Sequence, residues 1–339
     1  MIARSICVFL FGCMVLSFAW DKKQVDLGGL EGFVERMGAG VREEGMGHVG
    51  VADLTAQPGA YWNPALVAAH RQGLDIYAGG ERRALSRAGA EFGIQAGVGT
   101  RMGVGAALLG HGDMDFLVIS EDDEDLGTAM PYFYMAYLAI GWRLNRIDLL
   151  GLSFSKSGEN LGISDYYDVR DNSQSPTSYN LGWHRTWNSR FQSGVVIRNL
   201  GVNRDLSARW TRNPTNESES KVLRPKTLEV GASYQTRVLG RAFNMQMEVL
   251  DYLLADTLMV FDPDWHYWTA RMGTEWEAIP CGWIRAGFNS GNITCGLGYQ
   301  FDLRWDKKPW PLQIDWALEY EREAGLWNPL TVGVRTRIP

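Results

Sequence analysis

From about residue 73 onward, apolar and polar side chains alternate along the chain with a period of two. Residues 228–234 set Leu228, Val230, Ala232 and Tyr234 against Glu229, Gly231 and Ser233. Residues 243–249 set Phe243, Met245, Met247 and Val249 against Asn244, Gln246 and Glu248. The same alternation runs through 314–320 and 330–338. It describes extended strands with one apolar and one polar face. Further strands are expected at 73–80, 89–98, 101–110, 113–120, 130–142, 147–157, 177–187, 189–199, 266–277, 279–288 and 293–303. Several are about ten residues long. Soluble strands mostly run about five or six residues, whereas a tilted strand needs about nine to eleven to cross a bilayer.

Two architectures accept this pattern. A soluble secreted β-sandwich, acting as a binding module, would turn the apolar faces inward. A transmembrane barrel would turn them out to lipid and keep the polar faces in the lumen. Strand length favours the barrel, as do the charges and glycines in mid-strand on the polar face. Trp142, Trp187, Trp276, Trp305 and Trp327 lie near strand ends, where an interfacial girdle would sit. The expected fold is all-β, a transmembrane antiparallel β-barrel of about 14 strands over residues 73–339. Bacterial barrels have even strand numbers, so one segment is surplus, and the weak pair at 101–120 is where it is expected. On the polar faces stand Glu229, Glu248, Arg271, Glu275, Asp315, Glu319, Arg335 and Arg337. They either line a charged channel or form ion pairs that hold a plug to the wall. Both signs occur, which argues against a simple anion or cation pore.

The segments before the barrel read differently. Residues 1–19 place Arg4 ahead of a short apolar run that ends in Ser17 and Ala19, the form of a secretory signal peptide. Residues 20–72 contain a Gly-rich stretch that runs into Asn63-Pro64, an N-cap followed by proline at the first helical position. One or two helical turns are expected from Ala65 to His70. Such a compact piece is suited to sit in a barrel mouth as a hatch.

Composition agrees with this reading. Glycine supplies 39 of 339 residues, aromatics make up 12%, and only 21% are charged. Mean hydropathy is −0.19. A disordered chain would be less apolar. A net charge of −6 speaks against a nucleic-acid partner. No run of 18 apolar residues marks a membrane helix. Beyond the leader only Cys281 and Cys295 remain. They flank an Asn289-Ser290-Gly291-Asn292 hairpin turn, in which Phe288 faces Ile293 and Cys295 faces Ala286. Cys281 then lies about 16 Å along the strand from Ala286 at about 3.3 Å per residue, so two free thiols are expected.

Chemical motifs are scarce. The five histidines lack metal-ligand spacing, and no metal or cofactor is expected. The glycines at Gly97, Gly99 and Gly103 fit a hairpin better than a phosphate loop. There is no Gly-x-Ser-x-Gly elbow and no isolated carboxylate dyad, so no catalytic residue is assigned and the chain does not read as an enzyme. The acidic run Glu121–Asp125 and the polar stretch from Asn203 to Arg224 read as loops.

Gly45-Met46-Gly47, then Val51-Ala52-Asp53, then Tyr61-Trp62-Asn63-Pro64-Ala65 resemble the N-terminal signature shared by FadL-like and PorV/PorQ outer-membrane proteins. Val196-Ile197-Arg198-Asn199-Leu200-Gly201, Leu223-Arg224-Pro225, Leu228–Tyr234, Thr274-Glu275-Trp276, Ile284–Phe288 and Gly296–Phe301 resemble the PorV side of that group. The chain departs from the pattern at His48 and Leu66, where small residues are usual, and it ends in Arg337-Ile338-Pro339 without a terminal aromatic. The resemblance implies a 14-stranded barrel in the cell outer membrane with an internal hatch. It implies a secretion-associated or structural barrel whose partners are outer-membrane lipid and exported proteins. The alternative is a FadL-like transporter that passes hydrophobic small molecules through a lateral gap. An apolar pocket under the hatch would favour transport, and a polar, plugged lumen would favour secretion.

Overall fold

The computed structural model describes residues 38–338, apart from 70–72, 83–86, 113–115, 120–124, 130–131, 161–172, 175–176, 201–206, 212–216, 222–225, 253–266, 306–307 and 323–324. The signal-peptide expectation therefore lies outside the described residues, as does most of the acidic run.

Fourteen antiparallel strands close into a barrel: β1 (Leu74–Arg82), β2 (Ala88–Val98), β3 (Met102–Gly112), β4 (Tyr132–Arg143), β5 (Asp148–Asn160), β6 (Ser178–Thr186), β7 (Phe191–Leu200), β8 (Thr227–Val238), β9 (Arg241–Tyr252), β10 (Tyr267–Ile279), β11 (Gly282–Asn289), β12 (Asn292–Trp305), β13 (Lys308–Glu321) and β14 (Leu326–Ile338). Each pairs with its sequence neighbours, and β1 pairs with β14 to close the ring, Leu74 opposite Ile338. Among the described residues closure leaves the ring itself without a free edge, the condition for a sheet to live in lipid. The surplus segment proves to be 113–120. Phe116–Ile119 pairs with Asp125–Ala129 in a separate two-stranded sheet, while Met102–Gly112 is a full barrel strand. The 203–224 stretch is more than a loop. Ser207–Thr211 pairs there with Glu217–Lys221 in a separate two-stranded sheet.

The four longest connections, after β3, β5, β7 and β9, lie at one end of the barrel, which also carries the Ser290-Gly291 turn between β11 and β12; the other end has short turns alone. Two tight turns show how the hairpins are made. Leu239-Gly240 and Ser290-Gly291 have positive φ at both central positions, as two-residue turns that match strand twist require. The second is the expected Asn-Ser-Gly-Asn turn, with Phe288 opposite Ile293 and Ala286 opposite Cys295. Cys281 and Cys295 are free thiols.

The alternation resolves as two faces. Outward residues include Leu138 (63% exposed), Leu181, Val230, Val249, Leu297, Ile314 and Val332, an apolar belt. Trp142, at the short-turn end, and Trp327, at the long-loop end, stand on this outer surface. Tyr132, Tyr134 and Tyr179 add to the long-loop end. This is the aromatic-bordered belt of a lipid-facing barrel.

Inside lies the hatch. Between residues 39 and 68 only Leu54 and Thr55 escape full burial. It contains two single-turn helices, α1 (Val41–Glu44) and α2 (Gly59–Trp62), and a 3-10 helix at Pro64–Ala68. The Asn63 side chain accepts a hydrogen bond from the Ala65 N–H at 3.0 Å, the expected N-cap. The helix is 3-10 rather than α.

Candidate functional site

The hatch fits the lumen because the wall has glycines where the two meet. Gly103, Gly141, Gly151 and Gly182 form a ladder, one on each of β3 to β6, each opposite the next. The Asn63–Ala68 segment lies across it. A Cβ on Gly151 would strike the Pro64–Ala65 backbone, and one on Gly103 the Val67 carbonyl. Gly194 and Gly231, opposite each other on β7 and β8, receive Val51 and Ala52. Gly273 and Gly287, paired on β10 and β11, receive Met46 and Gly47. Gly45 rests against Gly296 of β12. Much of the glycine excess is therefore the footprint of the hatch.

Charge pairing fixes the hatch in place. Arg42 of α1 is buried and donates to both carboxylate oxygens of Glu275 on β10, at 2.9 and 2.8 Å. It also reaches Asp53 at 2.9 Å and Glu43 at 3.0 Å. Glu275 accepts from Arg285 of β11 at 2.6 Å, and Arg285 reaches Asp315 of β13 at 2.7 Å. Gln313 donates to Asp315 at 2.7 Å, and Arg335 of β14 donates to Gln313 at 2.9 Å. Arg335 then donates to the Thr55 carbonyl of the hatch at 3.2 Å. Thr55 in turn donates to Asp53 from its amide and its hydroxyl. This polar chain thus leaves the hatch at Arg42, runs through side chains of four strands, β10, β11, β13 and β14, and returns at Thr55. Asn244 and Gln246 of β9 also donate to Asp53. Alternating signs at hydrogen-bonding distance are what make such buried charges tolerable.

Two of the hatch carboxylates, Asp53 and Glu43, feel this setting. Burial alone would raise Asp53. Arg42 beside it and the two bonds from Thr55 overcome that and hold the carboxyl below its usual range. For Glu43 burial wins over Arg42 and Arg335, and the group is pushed up to about 7.

The remaining charges expected on the lumen face also lie inside. Glu229 pairs with Arg198 of β7 at 2.7 and 2.9 Å. Arg198 donates onward to the Tyr61 and Trp62 carbonyls, with its guanidinium 5.0 Å from the Tyr61 ring centroid. Glu248 accepts from the Gly50 and Val51 amides at 3.2 Å and stands 3.5 Å from Arg271. Glu319 accepts from Asn292 at 2.9 Å and lies 3.4 Å from His48. Arg337 is half-exposed at the short-turn end, 3.4 Å from Asp75. The sequence shows Arg198 and Arg285 only as members of motif stretches, not as lumen charges, although both occupy inward positions of the alternation, and Arg42 is not singled out there at all. The hatch motif residues are all buried: Met46 and Trp62 at 0%, with Asn63 donating to the Val51 and Trp183 carbonyls.

One part of the inner wall is apolar. Ala107, Leu109, Met135, Tyr137 and Ala139 of β3 and β4 pack with Tyr61, Trp62, Leu66 and Val67 of the hatch. Tyr61 meets the Trp62 and Tyr137 rings edge-on at 5.0 and 5.5 Å.

No protein-family model matches the chain, and no curated protein matches it. Solved structures do. The toluene transporter TodX of P. putida is 12% identical, covering 89% of this chain and 99% of its own, with a TM-score of 0.64. The Ralstonia pickettii toluene transporter TbuX is 12% identical over 89% of this chain and 98% of its own, with a TM-score of 0.61. A Pseudomonas aeruginosa FadL homologue is 9% identical over 88% and 97%, with a TM-score of 0.53. At such identities the likeness is one of fold, and it extends over nearly the whole of each neighbour.

Proposed function

We propose that the protein is an outer-membrane channel for hydrophobic small molecules, of the FadL-like kind, and that the hatch controls passage. The supporting observation is the apolar inner patch of β3 and β4 packed on Tyr61 and Trp62 of the hatch. A lumen built only to be sealed by ion pairs has no need of an apolar wall, whereas a hydrocarbon does. The nearly full-length fold likeness to toluene transporters points the same way. The hatch fills the lumen at its own level, so passage requires the hatch to shift or the solute to leave sideways through the wall. The apolar belt supports placement in a bilayer, and the aromatic ends support the outer-membrane barrel type. The PorV/PorQ-like secretion reading is supported by the sequence motifs and by the ion-paired, plugged side of the lumen; the apolar patch on β3 and β4 is what favours transport over it.

Calorimetric titration of the detergent-solubilised barrel with toluene tests the proposal. Binding that weakens in Tyr137→Asp supports it. Absence of binding to the folded wild type overturns it.

A further inference from the structure

Arginines crowd one arc of the short-turn end. Residues 96–104, 141–150, 184–193 and 236–243 span the four turns that join β2 to β3, β4 to β5, β6 to β7 and β8 to β9. They hold seven arginines against one aspartate, Asp148, and no lysine or glutamate. Arg143 donates to the Ala68 and Ala69 carbonyls, and Arg185 stands 3.7 Å from Asp148. The other five are Arg101, Arg146, Arg190, Arg237 and Arg241. Among the described residues none of their guanidiniums has an ion pair or a hydrogen bond. Four of them are exposed and Arg241 is half-buried. Each of the four turns thus presents a guanidinium with free donors.

The same turns carry apolar side chains that gain nothing from the protein. Val98, Leu144, Trp187 and Leu239 are all exposed. Leu239 is 85% exposed at φ 53, in the left-handed position of a two-residue turn that Asn, Asp or Gly usually fills. A leucine there bears the strain of a positive φ without any burial in return. An apolar surrounding at the level of the turns would supply that burial. Trp142, on the outer surface just above the β4–β5 turn, joins these side chains to the apolar belt.

Both features select one occupant. A guanidinium meets a phosphate with parallel N–H donors. The apolar side chains beside the arginines carry the lipid-facing belt past the strand ends, which an acidic soluble partner would not require. Cationic side chains at a bilayer surface attract anionic head groups, each by an amount worth about fivefold in affinity. We propose that this arc binds the phosphate head groups of anionic phospholipids in the leaflet at the short-turn end. Leu144, Trp187 and Leu239 then enter the upper acyl layer beside them. The proposal rests on the barrel standing in a bilayer and is independent of hydrocarbon passage.

Native mass spectrometry of the full folded barrel tests this, in detergent doped with equal amounts of phosphatidylglycerol and phosphatidylcholine of the same chains. Phosphatidylglycerol is expected to bind at least about fivefold more tightly, the scale of one interfacial arginine. Combining Arg101→Gln, Arg146→Gln, Arg190→Gln and Arg241→Gln should abolish that preference, whereas lysine at the same four positions keeps the charge and should retain most of it. Lys156→Gln, exposed on the outer surface toward the long-loop end, should leave it unchanged. Heat-modifiable migration shows which variants fold. If the combined variant does not, Arg146→Gln and Arg190→Gln alone decide, each expected to lower phosphatidylglycerol affinity about fivefold. Equal affinity of the wild type for the two lipids overturns the proposal, as does a preference that survives the Arg→Gln changes or is lost in Lys156→Gln. Displacement of the lipid by equimolar inorganic phosphate, or binding of poly-glutamate in its place, overturns it too. Loss of this site would leave the bilayer placement standing, which fails only if the wild type does not insert into vesicles of either lipid.

Discussion

Replacing Arg42 with methionine removes the cation that joins hatch to wall. Arg42 makes four hydrogen bonds to three carboxylates, two of them to Glu275 of β10. Each charged bond is worth about 1.5–3 kcal/mol, and the cost of dehydrating the guanidinium offsets part of the sum. Removing one partner of a buried ion pair typically costs about 3–5 kcal/mol, because the other charge is left uncompensated. Here Asp53 is the group most exposed to that loss, since Glu275 keeps Arg285. The damage should fall on the seating of the hatch and spare the ladder of the barrel, whose backbone bonds Arg42 does not touch. Single-channel recording in planar bilayers reads the first, and heat-modifiable migration reads the second. Wild-type protein is expected to be closed nearly all the time, and Arg42→Met to show frequent opening with unchanged migration. Adding Glu275→Gln should cost less than the two single changes together, by about 1–3 kcal/mol of coupling. Additive effects, or an unopened Arg42→Met channel, would refute the claim that this chain of charges holds the hatch.

Other expectations follow from separate parts of the structure. Gly273→Val places a side chain where the Met46 carbonyl lies, so it should unseat the hatch and raise conductance, whereas Gly99→Val, at a turn with open space around it, should not. Leu138→Arg puts a charge on the lipid face in mid-strand and should cost about 2–4 kcal/mol in folding titrations; a cost near zero would mean that this face is wet. Glu43 lies on the hatch rather than in a spanning strand and is pushed up to about 7. Between the usual carboxylate range and about 7 the folded state therefore holds a proton that the unfolded state releases, so stability should fall as pH rises through that window, by at most about 1.4 kcal/mol per pH unit. Glu43→Gln should flatten that slope, and an unchanged slope would assign it to another group.

The wall was legible in the sequence because period two is a property of each strand alone. Val230 and Glu229 declare opposite faces without reference to any other strand. The surplus segment was harder. Residues 113–120 carry the same apolar character as a barrel strand, but Phe116–Ile119 finds its partner in Asp125–Ala129 and not in the ring. Strand partners are set by closure, which no single segment records. The glycine footprint was visible only as an excess. That Gly194 and Gly231 face the same piece of hatch depends on the register between β7 and β8. Arg42 was missed for a related reason. It lies in a short non-periodic helix, and its partners Asp53 and Glu275 stand 11 and 233 positions away.

The central proposal is that hydrophobic small molecules pass this barrel. Its most direct measurement is the initial uptake of radiolabelled toluene by cells that carry the protein in a lipopolysaccharide-containing outer membrane. Faster uptake than in cells lacking the protein, and faster still with Arg42→Met, is the predicted result. Equal uptake in all three, with the protein shown to be folded in the outer membrane, would contradict it.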